Sequence, residues 1–236
     1  MFLDKFFIEE NGEFQVSREQ GCSFAKSMAN DFNPLHDSDA KKFVVPGDLL
    51  FALTLSQVGL FKDMTFTFSG MVGDQSRIRL QQENHSITIV DQKEKTCMSV
   101  GTQGEKSENA ELIEQLTKAY VKFSGEAFPH ILVPLMKKHN AMINPARPMV
   151  MYQSMHISFH SLKINDVSLR MSEATFDVQG KRGNVSLNFE FISDGKVVGI
   201  GDKQMLLGGL RDFDENVISS LVAQYNQRKE QYLAMV

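Results

Sequence analysis

One short segment of this sequence brings an acid and an imidazole close together. In Asp31-Phe32-Asn33-Pro34-Leu35-His36, the two reactive side chains, Asp31 and His36, are five residues apart. Pro34 disfavours helical geometry at the residue before it, so the segment is predicted to be a loop. A stiff loop can direct both side chains at one water molecule, and a carboxylate with an imidazole is a working acid–base pair. A structural interpretation stays open, in which the segment is an Asx-type turn with a surface histidine.

Two predicted helices flank this loop and must position it. Ser17 followed three residues later by Gln20 is a capping box, which predicts a helix beginning after Ser17. A second helix is predicted after Pro46-Gly47. Its apolar residues between Leu49 and Val58 cover most of the circumference, which is typical of a buried helix. The acid and the imidazole therefore lie between a capped helix and the N-terminus of a buried one.

Downstream of each helical region the hydrophobic period changes from 3.6 to 2, which indicates β-strands. The alternating segments are residues 64–68, 77–80, 87–90 and 98–100, then 155–159, 167–171, 174–178, 185–191, 197–200 and 205–207. A polar turn near Ser107 separates two halves, each with a helix, a Pro-containing loop, an apolar helical segment (residues 131–135 in the second half) and several strands. We predict domains at residues 1–107 and 108–210. An amphipathic helix in residues 211–236 is expected to pack on them, with partner binding as the alternative.

Composition argues against several classes of function. Of the 236 residues, 42 % are hydrophobic and 23 % are charged, which is ordinary for a folded protein. The net charge of −4 leaves no basic excess to neutralise the phosphates of a nucleic acid. The sequence shows no membrane-spanning apolar run and no signal-peptide pattern, and its two cysteines are too few for a disulfide framework. We expect a cytoplasmic protein with neither nucleic acid nor membrane as a partner.

The loop motif resembles the signature of the MaoC-like, (R)-specific enoyl-CoA hydratases, which have the hot-dog fold. That family carries Gly-Asp-x-Asn-Pro-x-His before its central helix, and Asp31, Asn33, Pro34 and His36 match it, with Asn30 where glycine is usual. Gly47 is similar to the glycine that opens the central helix. Residues 112–130 look like a degenerate second copy, with its acid at Glu126 and its imidazole at His130. The resemblance implies an α+β, double hot-dog fold, in which two antiparallel sheets each wrap an apolar helix and pair with each other.

For the chemistry, the resemblance implies hydration of a 2-enoyl thioester. Asp31 would act as general base, and His36 would orient the water and help to pass a proton to the substrate, with Asn33 carried over as a third site residue. The Gly47 N–H would stabilise the developing enolate. Coenzyme A would be part of the substrate, with no other cofactor and no metal. Two alternatives stay open: a thioesterase on the same scaffold, and a non-catalytic protein that binds acyl-CoA or an acyl-carrier thioester.

Four cations could meet the phosphates of coenzyme A, although solvated surface charge is the simpler interpretation. They are Lys41, Lys42, Arg77 and Arg79. The histidines outside the motif, including His156 and His160, lack metal-ligand spacing in a suitable element, so no metal site is predicted. The expected partner is an acyl-CoA or acyl-carrier thioester. The expected assembly is a monomer or a homodimer of double hot-dogs.

Overall fold

The computed structural model describes residues 2–235, so Met1 and Val236, which end two of the predicted ranges, lie outside the described residues. The α-helices are α1 (Arg18–Ser27), α2 (Gly47–Val58), α3 (Ala110–Gly125), α4 (Ala127–His130), α5 (Leu132–Lys138) and α6 (Glu215–Leu233). The strands are β1 (Ile8–Glu10), β2 (Glu13–Gln15), β3 (Leu60–Phe68), β4 (Arg77–Glu83), β5 (Ser86–Asp91), β6 (Thr96–Ser107), β7 (Ala141–Met142), β8 (Met149–Phe159), β9 (Ser168–Gln179), β10 (Arg182–Ser193), β11 (Lys196–Gly208) and β12 (Arg211–Asp212).

Ten of these strands form one sheet, and every pairing seen among the described residues is antiparallel. The order is β1-β2-β4-β5-β6-β3-β8-β11-β10-β9. β3 and β8 meet at the centre, with Met64 opposite Ile157. Outward from this pair, β6-β5-β4 on one side correspond to β11-β10-β9 on the other. Two four-stranded units of the same order are therefore joined edge to edge. β6 ends at Ser107, but a domain division there stays a prediction.

α2 is the buried helix that the sequence predicts. Leu49, Leu50, Leu53 and Leu55 are each at most 3 % exposed. Gly59 ends the helix with a φ of +86°, a conformation that glycine adopts without strain, and the chain turns directly into β3. This arrangement fixes the N-terminus of α2 at the end of the loop that carries Asp31 and His36.

The helix that lies beside α2 is α3, whereas the repeated order of elements would place residues 131–135 there. Leu112, Leu116 and Tyr120 of α3 are buried in the same core as α2. Residues 131–135 mostly form α5, which packs on β7 and β9 in a second, smaller cluster. Length explains the difference: the 16 residues of α3 extend about 24 Å and can cross the sheet, while α5 has 7 residues.

Two strand segments that the sequence separates, residues 167–171 and 174–178, belong to the single strand β9. The register against β10 shifts between Asn188 and Phe189, so Ser172 is left without an opposite residue. This bulge reverses the inward and outward alternation, which is why the pattern looks interrupted. The predicted hairpin at Asp194-Gly195 is confirmed, with φ of +49° and +72° at the two residues.

Both cysteines are free thiols; Cys97 is buried and Cys22 is partly buried. Within residues 2–235, no helix combines the length and the apolar character needed to cross a membrane. The side chains of α6 pack on the rest of the chain, and Ile218 and Tyr225 are buried. The C-terminal amphipathic helix is therefore present and packed, as expected.

Candidate functional site

The loop that carries Asp31 and His36 leaves α1 through a sharp turn. The predicted capping box at Ser17 is present and fixes the start of α1. Asn30 has a φ of +53°, a left-handed conformation that glycine and asparagine tolerate best, so asparagine can replace the glycine of the family signature. The Asp31 N–H then donates to the Ala25 carbonyl at 2.9 Å. The turn therefore holds Asp31 close to the end of α1.

Asp31 and His36 face each other across the loop. The Asp31 Oδ2 atom lies 3.8 Å from the His36 Nε2 atom, and the side chains are 18 % and 23 % exposed. Asp31 Oδ1 accepts the Asn33 N–H at 2.9 Å, and His36 Nδ1 lies 3.4 Å from the Val44 carbonyl oxygen. The Asx-type turn and the acid–imidazole pair therefore coexist, since each uses a different oxygen of Asp31.

The surroundings of Asp31 favour its use as a base. Burial raises the pKa of Asp31, and the carboxylate of Asp48 adds to this effect, while His36 and Lys203 oppose it. A carboxylate with a raised pKa is a stronger general base than a solvated one.

Gly47 opens α2, and aromatic rings cover this end of the helix. Among the described residues no side chain caps the helix, and the Leu49 N–H donates to the Pro46 carbonyl at 3.0 Å. The N–H groups of Gly47 and Asp48, at the start of the helix, therefore lack an intrahelical partner. A Cβ atom at Gly47 would lie 3.1 Å from the Tyr152 ring and 3.2 Å from the Phe68 ring. Glycine is therefore the residue that fits between this helix end and the two rings.

A polar cluster, the buried cluster, lies beside the N-terminus of α2. Its members Asp48, Ser124 and Lys203 are buried, and the fourth, Tyr152, is partly buried. The Ser124 hydroxyl donates to Asp48 Oδ2 at 2.6 Å and accepts a hydrogen bond from Lys203 Nζ. The Tyr152 hydroxyl lies 3.3 Å from Ser124 Oγ. Lys203 Nζ is 3.8 Å from Asp48 Oδ1 and 3.4 Å from the centroid of the Tyr152 ring. The side chains of Asp48 and Lys203 are 8 % and 2 % exposed.

Electrostatics link this cluster to the motif loop. Burial lowers the pKa of Lys203 to about 8, although the carboxylates of Asp48 and Asp31 oppose the change. Burial raises the pKa of Tyr152 well above its usual value, and Asp48 and Asp31 add to the increase. Asp31 thus acts on both Lys203 and Tyr152. We therefore treat the Asp31–His36 pair and the buried cluster as parts of one site.

The sequence analysis did not select any member of the cluster. Lys203 had a usable signal, because it occupies an inward position of β11 in line with Gly201 and Met205. Tyr152 had none: the register against β11 shifts at Gln153, which places Tyr152 opposite Met205 and turns its ring inward. Asp48 could be explained as a helix first-turn acid, and Ser124 has no distinguishing pattern.

One residue of the predicted second copy, Glu126, supports the first loop. Glu126 Oε1 accepts a hydrogen bond from Asn30 Nδ2 at 2.8 Å. His130 is exposed, and no contact joins it to Glu126 in the part of the chain that the structure describes. Glu126 therefore helps to hold the turn before Asp31.

The four predicted phosphate-binding cations lie on two different elements. Lys41 and Lys42 are exposed in the turn that leads to α2. Arg77 and Arg79 lie on β4 and pair with glutamates, at 3.2 Å to Glu13 and 2.5 Å to Glu94. The structure does not bring the two pairs together in any described contact, and their role in binding coenzyme A stays a prediction.

The C-terminal helix α6 lies on the motif loop. The Tyr225 hydroxyl donates to the carbonyl of Asn30 at 2.9 Å. Phe32 packs edge-on against Tyr225 and Tyr232, with ring centroids 5.8 and 5.7 Å apart. Arg228 Nε lies 3.7 Å from Asp37 Oδ2. Helix α6 therefore restrains the backbone on both sides of Asp31.

His156 lies between two carboxylates, away from this site. His156 Nε2 is 3.0 Å from Asp63 Oδ2, and His156 Nδ1 is 3.7 Å from Asp202 Oδ2. Among the described residues, no group of three or more His, Cys, Asp or Glu side chains is arranged to hold a metal ion.

Comparison with known proteins identifies the family and the fold. A family model described as "Protein of unknown function (DUF3581)" matches residues 1–216. The chain belongs to the DUF3581 family. No curated protein matches it. Among solved structures, a conserved hypothetical protein from Mycobacterium tuberculosis, described as having a double hotdog fold, aligns with a TM-score of 0.50 at 8 % identity, over 85 % of this chain and 95 % of that one.

Two further solved structures resemble this DUF3581 protein less closely. The tesB protein of Mycobacterium avium subspecies paratuberculosis has a TM-score of 0.46 at 10 % identity, over 87 % of this chain and 97 % of that one. A MaoC-like dehydratase has a TM-score of 0.42 at 8 % identity, over 85 % and 97 %. The sheet order and the mycobacterial structure together confirm the predicted α+β double hot-dog fold with a C-terminal helix.

Proposed function

We propose that this DUF3581 protein acts on acyl thioesters, and that its reaction is the hydration of a 2-enoyl thioester. The observation that carries the proposal is the 3.8 Å separation between Asp31 Oδ2 and His36 Nε2. This separation is too long for a direct hydrogen bond, but one water molecule can contact both atoms at normal hydrogen-bond lengths. The resemblance of the motif to the MaoC-like hydratases supports the choice of reaction.

In the proposed reaction, the thioester carbonyl oxygen lies at the N-terminus of α2. Asp31 accepts a proton from the water as the water oxygen bonds to C3 of the substrate, and His36 orients that water. The electron pair of the C2–C3 double bond moves toward the carbonyl oxygen, where the N–H groups of the first turn of α2 stabilise the enolate. The proton that Asp31 took from the water is then passed through His36 to C2, so both side chains return to their starting states. Because Asp31 must be ionised, turnover should fall as the pH drops through its raised pKa.

The buried cluster fits this proposal electrostatically. The carboxylate of Asp48 lies beside the helix end at which negative charge would develop, and alone it would oppose that charge. Lys203 lies 3.8 Å from this carboxylate, and Ser124 bonds to both side chains. We infer that Lys203 compensates the charge of Asp48, so that the helix N-terminus keeps its preference for an anion.

A second candidate function is thioester binding without turnover. It is favoured by the two aromatic rings that lie against Gly47. The rings of Tyr152 and Phe68 occupy the space next to this residue. A substrate carbonyl reaches the helix N-terminus when these rings move aside. A protein in which they stay in place would bind an acyl group elsewhere on the fold and leave it unchanged.

One assay with crotonyl-CoA separates these functions. Loss of the enoyl-thioester absorbance without release of free thiol indicates hydration, whereas stoichiometric thiol release indicates a thioesterase. Binding without either signal indicates the non-catalytic function. Asp31→Asn is the matched variant, because an amide oxygen can still accept the Asn33 N–H while the base is lost. The proposed hydration is wrong if the wild type leaves the enoyl band unchanged.

A further inference from the structure

A cavity at the Met149 end of β8 is lined by three cations. Its volume is about 360 Å³, within the range typical of small-molecule sites. The cations are Arg147, Lys181 and Arg211, and the lining also includes Asn144 and the backbone of residues 208–210. None of the described residues that line it is acidic. In a chain whose net charge is −4, this is a marked local excess of positive charge.

The three cations are not neutralised by the protein. Over residues 2–235, none of their side chains forms an ion pair, a side-chain hydrogen bond or a cation–π contact. Other arginines behave differently, since Arg79 pairs with Glu94 and Arg170 with Glu190, each at 2.5 Å. All three side chains are exposed. Like charges around one cavity repel one another, and a bound anion would relieve this repulsion.

Hydrogen bonds fix the three segments that supply these cations. The Leu210 N–H donates to the Lys181 carbonyl at 3.1 Å, which ties the turn after β11 to the turn before β10. Arg211 pairs with Met142 between β12 and β7. The Arg147 N–H donates to the Asn144 carbonyl at 3.1 Å. The cations are therefore presented by a built framework of three distant segments.

We propose that this cavity binds an organic phosphate that carries at least two phosphoryl groups. Arginine binds phosphate oxygens in a bidentate manner, and three cations call for more negative charge than a single carboxylate supplies. Gly209, with a φ of +65°, has no heavy atom within 4 Å of its Cβ position, so a ligand can approach the backbone there. The cavity is separate from the Asp31–His36 pair, and its binding does not depend on the proposed hydration.

Two molecules could supply these phosphoryl groups. Met149, which lines the cavity, and Tyr152, three residues further along β8, point to opposite faces of the strand. The phosphates of a coenzyme A thioester are the first source. A free nucleotide could instead occupy the cavity alone. Both sources share the same phosphoryl chemistry.

Isothermal titration calorimetry on the full chain tests the proposal. The probes are pyrophosphate, adenosine 3′,5′-bisphosphate, ATP and coenzyme A, with adenosine as the phosphate-free control. We expect the affinity for phosphorylated probes to fall as the salt concentration rises. Arg147→Gln and Arg211→Gln should each weaken binding by about tenfold, because each removes a charged hydrogen-bond donor to phosphate. Adenosine should not bind.

A charge-matched control makes the result specific. Arg147→Gln/Lys181→Gln/Arg211→Gln should abolish binding, whereas Lys93→Gln/Lys163→Gln/Lys196→Gln, which removes three exposed cations elsewhere, should change affinity less than twofold. Thermal unfolding verifies that both triple variants are folded. Binding of coenzyme A and adenosine 3′,5′-bisphosphate supports the first source; binding of ATP and pyrophosphate without coenzyme A supports the second. The proposal is overturned if no phosphorylated probe binds, or if both triple variants lose affinity equally. Crotonyl-CoA turnover, measured separately, tests the proposed hydration.

Discussion

Asp31 uses its two oxygens for two different purposes. Oδ1 holds the turn through the Asn33 N–H, and Oδ2 faces His36. A substitution that keeps the acceptor but removes the charge therefore separates the structural role from the chemical one. Asparagine does this at position 31, whereas alanine would remove both at once.

Asp31→Asn should reduce crotonyl-CoA turnover by about 10²–10⁴-fold, the usual contribution of a positioned general base. Its unfolding free energy should change by less than about 1 kcal/mol, because the turn keeps its hydrogen bond. Steady-state kinetics and urea unfolding measure the two effects. The total loss of turnover in Asp31→Asn/His36→Gln should be smaller than the product of the losses in the two single variants, since both groups act on one water. Turnover within tenfold of wild type in Asp31→Asn would exclude this residue as the base.

Lys203 should make stability depend on pH in a particular direction. The pKa of Lys203 is about 8 in the folded protein, whereas the usual pKa of a lysine, which applies to the unfolded chain, is 10.5. Between pH 8 and pH 10.5, the unfolded chain therefore binds more protons than the folded protein. Stability therefore rises with pH in this window as the penalty for a buried charge is relieved. From about pH 8 to 9.5, wild type should gain unfolding free energy relative to Lys203→Met, on the order of 1–2 kcal/mol. Urea unfolding at several pH values measures this difference; a constant or falling difference would contradict the prediction.

At the level of single elements, α2 carries much of the core of the first half. Leu53 is 1 % exposed, so Leu53→Ala should cost about 2–5 kcal/mol of unfolding free energy through lost burial and a cavity. Leu233, at 61 % exposure, provides the control: Leu233→Ala should cost less than about 0.5 kcal/mol. Chemical denaturation compares the two variants. Equal costs would mean that α2 is not central to the core.

The end of α3 touches the motif loop at Gly125, so this contact should link stability to activity. A Cβ atom there would lie 2.0 Å from the Ala29 carbonyl oxygen, so Gly125→Ala must displace the loop that leads to Asp31. Overpacking of this kind typically costs about 1–3 kcal/mol, and turnover should fall with it. Gly101→Ala is the control, since its Cβ meets no heavy atom within 4 Å. Unfolding and crotonyl-CoA assays of both variants measure the effects, and a Gly125→Ala protein with normal turnover would show that the loop position is not critical.

Across the whole molecule, the largest hydrophobic cluster does not respect the division into halves. Phe66 of β3, Leu116 of α3, Met155 of β8 and Phe189 of β10 all belong to it. Neither half can bury its apolar face without the other. The protein is therefore expected to behave as one cooperative unit, although the sheet consists of two similar parts.

Urea unfolding should accordingly show a single transition, with the same midpoint by far-ultraviolet circular dichroism and by tyrosine fluorescence. A fragment of residues 1–107 should not fold alone, because it would expose the edge of β3 that pairs with β8. Two separate transitions, or a stable fragment, would show that the halves are independent domains.

Features that depend on neighbouring residues could be predicted from the sequence. The capping box at Ser17, the loop from Asp31 to His36, the burial of α2 and the alternation of the strands each need a few adjacent positions, because capping, turn chemistry and hydrophobic period are local. The local rules do not predict the double hot-dog fold or the roles of the site residues; those predictions came from the family resemblance. The strand interrupted at Ser172 shows where the local pattern fails, since a bulge is a property of two paired strands.

The tertiary structure alone decided which distant residues meet. Ser124 is 76 residues from Asp48 and 79 from Lys203, and nothing in the local pattern joins them. Their contact depends on the register of β11 against β8, because a slip of one residue would turn Lys203 toward solvent and a different side chain toward Ser124. The choice of α3 as the neighbour of α2 likewise depends on how the two four-stranded units of the sheet join. Such contacts follow from the packing of the entire chain, and no short segment of it contains that information.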